Sequence, residues 1–125
     1  AEMPDDSVAR LRTPWMYAVT HRAAQLGVRI VSGTDGMYDA KADSLPLLHR
    51  ERELLVSNAG LTPLQAITTA TRNGAWAIGI ADSVGTVAAG MRADLVLLGA
   101  DPAADIRNTR AIRAVIQGGR VVRAK

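Results

Sequence analysis

The sequence predicts an α/β fold, and three observations carry that expectation. A run with β-branched Val28, Ile30 and Val31 follows Gly27 and leads into Ser32-Gly33-Thr34-Asp35-Gly36. Such residues suit a pleated, half-buried surface, so Val28 to Gly36 reads as one strand. Helical periodicity lies on both sides of it. Beyond Ala81 the pattern changes to short strands. Strands alternating with helices imply a parallel sheet. In such sheets the carboxyl ends of the strands carry the chemistry, because the strand fixes the side chain while the next loop leaves it open. Asp35 stands at that end. Taken alone, Asp35-Gly36 reads as a turn, since Asp bonds its own backbone and Gly tolerates positive φ.

Residues 1–13 are polar and irregular and read as a loop with at most one turn of helix. Thr13 offers an N-cap and Pro14 fits the first helical position. Trp15, Ala18, Val19 and Leu26 recur near helical spacing, and Gly27 supplies a left-handed stop. A helix of about twelve residues is therefore expected before the strand. His21 lies on that helix, faces away from the strand's carboxyl end, and is assigned to no site. Met37 to Asp43 forms the loop after Asp35. There Tyr38, Asp39 and Lys41 are candidate substrate contacts, and a plain polar surface loop explains each equally well.

Ser44 can cap the next helix and Pro46 lies in its first turn. Leu47, Leu48, Leu54, Leu55 and Ala59 give it a buried face, Arg50 to Glu53 a wet one, and Gly60 an end. His49, in the first turn, could reach substrate, although an exposed histidine is the simpler reading. Thr62-Pro63-Leu64-Gln65 is a capping box with proline at the start of the helix. One amphipathic helix through Leu64, Ile67, Thr71, Ala75 and Ile78 follows, ending at Gly79, with Trp76 as a packing residue. Gly85 and Gly90 bracket a turn-rich piece. Leu95 to Leu98 suits a strand covered on both faces, and Asp101-Pro102 a turn. Gly118-Gly119 joins Ala114–Gln117 to Arg120–Val122 as a two-residue hairpin.

Composition narrows the chemistry. Aromatic residues are 3% of 125 and Phe is absent, so the core must be built from Ala, Val, Leu and Ile. Without Cys there is neither a disulfide nor a thiolate metal site, which fits a reducing, cytoplasmic setting. No secretory segment or long apolar run is present, so no membrane partner is expected, and a start on Ala1-Glu2 reads as an internal cut. A net charge of +3 is too mild to imply nucleic acid. The basic run Arg107, Arg110, Arg113, Arg120, Arg123 and Lys125 lacks an aromatic stacking platform and reads as solvent-facing charge. There is no serine nucleophile elbow, and Gly85-x4-Gly90 lacks the Lys-Ser/Thr of a phosphate loop.

Several stretches recur in a telling order. They are Gly33-Thr34-Asp35-Gly36, the helix Leu54 to Pro63, Ala66 to Thr71, Gly85 to Val96, Asp101-Pro102, and Val115 to Val122. This ordered set resembles the carboxyl-terminal part of the metal-dependent amidohydrolases, in the branch of imidazolonepropionase-like and prolidase-like enzymes. The resemblance implies the last strand and helices of a (β/α)8 TIM-type barrel over residues 1–80. Strands of a small β-sandwich-like accessory domain would follow over 81–125. It implies hydrolysis of a C–N bond in a small-molecule substrate (an amide, cyclic amide or dipeptide-like compound) with one or two divalent metals, zinc foremost. Asp35 matches the family's aspartate at the end of the eighth strand, where it is metal ligand and general base. The family's paired histidines, its bridging carboxylated lysine or glutamate, and its two further histidines lie on strands this sequence lacks.

A complete barrel takes about 250 residues, and a catalytic zinc about three protein ligands. With two histidines away from ligand spacing, the chain alone is expected to be inactive. Its terminal strands would leave apolar faces open, so it is expected to associate with the missing amino-terminal portion of the same enzyme or with itself. The alternative is a non-catalytic α/β interaction module that folds or self-associates alone.

Overall fold

The structure, a computed structural model, describes residues 7–34 and 47–124. Helices α1 (Ser7–Gln25), α2 (Leu47–Ser57), α3 (Pro63–Ala70) and α4 (Arg72–Ala77) come first. Strand β1 (Leu95–Leu98), a 3-10 helix (Ile106–Arg110), and strands β2 (Ile112–Gln117) and β3 (Arg120–Ala124) follow. The α/β class is thus met. The sheet, however, is antiparallel, ordered β1-β2-β3, and lies at the carboxyl-terminal end.

Helix α1 starts at Ser7, so Pro14 lies inside it and not at its first position. An internal proline leaves the carbonyl four residues back without a donor. Residues 13–16 are exposed, so that stretch is open to water. The far end stops as expected at Gly27, where Gly27 N–H donates to Ala24 O at 3.1 Å and Val28 N–H to Ala23 O at 3.0 Å. That pair of bonds is a Schellman motif.

The strand expected over Val28 to Gly36 does not form among the described residues. A strand needs a neighbouring strand for its ladder, and here the segment's polar groups are met by helices instead. Asn73 Nδ2 donates to Ile30 O at 2.7 Å. Ser32 N–H donates to Thr69 O at 3.2 Å. The Ser32 and Thr69 hydroxyls lie 2.6 Å apart, and Gly33 N–H donates to Glu51 Oε1 at 2.9 Å.

The two faces of α2 also differ from expectation. Leu47 and Leu48 are exposed, and no residue of the helix is fully buried. Glu51, Arg52 and Glu53, assigned to the wet face, are half-buried. The reason is that α2 packs on α3 and the 3-10 helix through its middle turns, where Glu53 Oε1 meets Arg110 Nη2 at 2.7 Å.

The capping box is present: Thr62 Oγ1 accepts from Gln65 N–H at 3.2 Å and Gln65 Oε1 from Thr62 N–H at 2.8 Å. The single helix expected after it is two, broken at Thr71 with φ −122° and ψ −92°. Hydroxyls of Thr68, Thr69 and Thr71 donate back to Leu64 O, Ala66 O and Ile67 O. Such back-bonding competes with the helical ladder. The core is made of small and aliphatic side chains, Ala59, Leu61, Ala66, Ala75 and Ile106. Leu64 and Ile78, expected inside, are 60% and 73% exposed. Trp76, expected to pack, is half-exposed and carries the Arg29 guanidinium 4.1 Å above its ring, a cation–π pair.

In the sheet, Leu95 pairs with Ile116 and Ile116 with Val121. Gly118 and Gly119 have φ of 55° and 80°, the two positive values a primed hairpin turn requires. Asp94 Oδ1 accepts from Gly118 N–H at 2.7 Å, and Ala93 O from Gly119 N–H at 3.0 Å, so the hairpin tip is tied to the start of β1. The Gly118 amide first, and then Arg92, hold the Asp94 carboxyl below its usual range. The described residues do not cover β1 on both faces: Val96, Leu97, Val121 and Val122 remain more than half exposed. Part of the basic run is paired, Arg107 with Asp105 and Arg110 with Glu53.

Candidate functional site

The residue the sequence singles out, Asp35, lies outside the described residues, as do Tyr38, Asp39 and Lys41. What the structure shows is the approach to it. Ile30, Ser32 and Gly33 are held in turn by α4, α3 and α2 through the four contacts above. Gly33 is therefore fixed two peptide links before Asp35, within about 7 Å along the chain. Glu51 makes that last contact with one carboxylate oxygen. Its other oxygen is buried and without a hydrogen-bond partner among the described residues. Sequence reasoning missed Glu51 because it stands inside a run of four charged residues on a helix, which reads as a solvated face. Asn73 was missed too, since nothing local marks an asparagine that reaches back 43 residues to a carbonyl.

The histidines are structural. His21 Nδ1 lies 2.8 Å from Ala59 O, and its Nε2 lies 2.9 Å from Gln25 Nε2. A carbonyl only accepts and an amide nitrogen only donates, so these contacts suit the tautomer that carries its proton on Nδ1. It ties α1 to the end of α2, in keeping with its exclusion from any site. His49 is half-buried, not an exposed first-turn residue. Its Nδ1 is 3.0 Å from Thr109 Oγ1 and 3.4 Å from Arg52 Nη1. Burial first, then the Arg52 and Arg110 guanidiniums, push its pKa below the ordinary histidine value, with Glu53 opposing. It fastens α2 to the 3-10 helix, whose Asp105 caps it by accepting from Arg107 N–H.

No group of three or more His, Cys, Asp or Glu among the described residues is placed to hold a metal ion. Both imidazoles are engaged elsewhere. The described residues therefore do not by themselves fit a divalent metal, and no chemical step is derived through one. A hollow of about 610 Å³ is an open groove between α1 and the end of α2, lined by residues that include Tyr17, His21 and Asn58 and do not include Gly33. No helix among the described residues is long and apolar enough to cross a membrane.

Comparison with known proteins agrees with the order of motifs. Residues 7–122 match the amidohydrolase family. An imidazolonepropionase from Syntrophobacter fumaroxidans is 37% identical over 89 residues, covering 70% of this chain and 20% of the relative. Another, from Phocaeicola vulgatus, is 42% identical over 65 residues, covering 50% and 16%. Among solved structures, a Xaa-Pro dipeptidase with methionine bound in its active site superposes with a TM-score of 0.74 at 27% identity. It covers 89% of this chain and 26% of the dipeptidase. The chain thus spans a fifth or less of the curated relatives it matches. With the family matched over nearly its whole length, the chain belongs to the amidohydrolase family.

Proposed function

We infer that this chain is the carboxyl-terminal part of a metal-dependent hydrolase that cleaves C–N bonds in small molecules. The carrying observation is the family match over residues 7–122 in a chain spanning 16–20% of its curated relatives. Residues 1–80 supply the last portion of a (β/α)8 barrel, and residues 81–125 strands of an accessory β domain. The missing amino-terminal portion of the same enzyme is the first partner. It gives the 28–34 segment the strand neighbours it lacks here and covers Val96, Leu97, Val121 and Val122. Similarity to an imidazolonepropionase and to a Xaa-Pro dipeptidase supports a substrate that is an amide, a cyclic amide or dipeptide-like. Asp35 is one metal ligand and the general base of a site completed by the rest of the enzyme, with zinc as the leading ion.

The test is Asp35→Ala and Asp35→Asn in the full-length enzyme. Turnover would be measured on a dipeptide ending in proline and on a five-membered cyclic amide, and zinc content by elemental analysis. Loss of turnover with reduced zinc is expected. Unchanged turnover and zinc in both variants would remove Asp35 from the site.

A further inference from the structure

We propose that Glu51 is a positioning residue for the Gly33-Thr34 backbone that leads into Asp35, holding it from α2 through the Gly33 backbone amide. The inference rests on the hydrolase reading for its catalytic consequence, and on geometry alone for the contact. Gly33 N–H donates to Glu51 Oε1 at 2.9 Å, a charge-assisted bond to a half-buried carboxylate. Among the described residues it is the hydrogen bond furthest along the segment toward Asp35. The three hydrogen bonds upstream of it, Asn73 to Ile30 O and two between Ser32 and Thr69, come from helices α4 and α3. Among the described residues, Glu51 makes the hydrogen bond that ties the segment to α2.

The second oxygen strengthens the assignment. Glu51 Oε2 is buried and has no partner among the described residues. A buried carboxylate oxygen demands a donor. A donor for it would come from outside the described residues. Neighbouring Glu53 behaves differently: both of its carboxylate oxygens lie against guanidinium groups, Oε1 at Arg110 and Oε2 at Arg50. Glu51 holds backbone at the approach to the site, whereas Glu53 holds helix to helix.

The experiment compares Glu51→Gln, Glu51→Ala and Glu53→Ala in the full-length enzyme. Three readouts are taken: amide exchange of the peptide containing Gly33, zinc content, and kcat and KM on the two substrates named above. Gln keeps a carbonyl oxygen for the Gly33 amide, so Glu51→Gln should retain slow exchange and most of kcat. Glu51→Ala should speed exchange at Gly33 about tenfold. Loss of such an outer partner should lower kcat or metal affinity about 10–100-fold. Glu53→Ala controls for general loosening of α2 and should lower stability without speeding exchange at Gly33. If wild-type enzyme turns over while Glu51→Ala matches it in exchange, or in both kcat and zinc content, the inference is overturned. If wild-type enzyme shows neither turnover nor zinc while Glu51→Ala still frees the Gly33 amide, the contact stands and the hydrolase reading falls.

Discussion

Gly60 offers the most quantitative test of the packing. Its φ is +68°, and a Cβ placed on it would sit 2.9 Å from His21 Nδ1. Replacing it by Ala has two separable effects. A left-handed conformation costs a residue with a Cβ about 1–2 kcal/mol. The imidazole must also swing away, which breaks its bond to Ala59 O, worth about 1 kcal/mol. Gly79 provides the reference, since its φ is +77° and a Cβ there meets nothing within 4 Å. Gly79→Ala should therefore cost about 1–2 kcal/mol and Gly60→Ala about 2–3 kcal/mol. In urea titrations followed by far-ultraviolet circular dichroism, the extra 1 kcal/mol should shift the midpoint by about 0.5 M for a slope near 2 kcal/mol per M. In a His21→Ala background the two glycine substitutions should cost the same. A surplus at Gly60 that survives removal of His21, or no surplus with His21 present, would refute the assignment of the α1–α2 tie to this imidazole.

Arg110→Ala should destabilise the chain by about 1–3 kcal/mol, because it leaves Glu53 half-buried with only the longer contact to Arg50; adding Glu53→Ala should recover part of the loss in the same denaturation assay. The depressed His49 pKa makes a pH prediction of definite sign. The unfolded chain takes the proton first, so stability should fall as pH drops below about 6.5 and level off beneath the folded-state value. Charging the ring adds a third cation beside Arg52 and Arg110 against Glu53. His49→Gln should flatten the decline, as read by urea midpoints across pH.

What was legible in the sequence was local. The capping box at Thr62, the stop at Gly27 and the Gly118-Gly119 turn each depend on neighbours within a few residues, and each forms. What was not legible depends on partners far along the chain. Val28 to Ser32 has the composition of a strand, but a strand is a relation between segments, and the described residues supply helices beside it. Thr71 reads as one position of a helical stripe, yet its hydroxyl and those of Thr68 and Thr69 turn back on the ladder and compete with it where the helix ends. Glu51 reads as one of four wet charges until Gly33 is brought beside it. Of the candidate site, the sequence marks Asp35, and the structure supplies the scaffold that leads to it.

The central claim is that this chain contributes to a metal site it does not complete. Native mass spectrometry of the 125-residue chain beside the full-length enzyme, both after incubation with zinc, tests it most directly. The account predicts no specifically bound zinc on the chain and one or two ions on the full-length enzyme. Stoichiometric zinc on the chain alone, or none on the full-length enzyme, would contradict it.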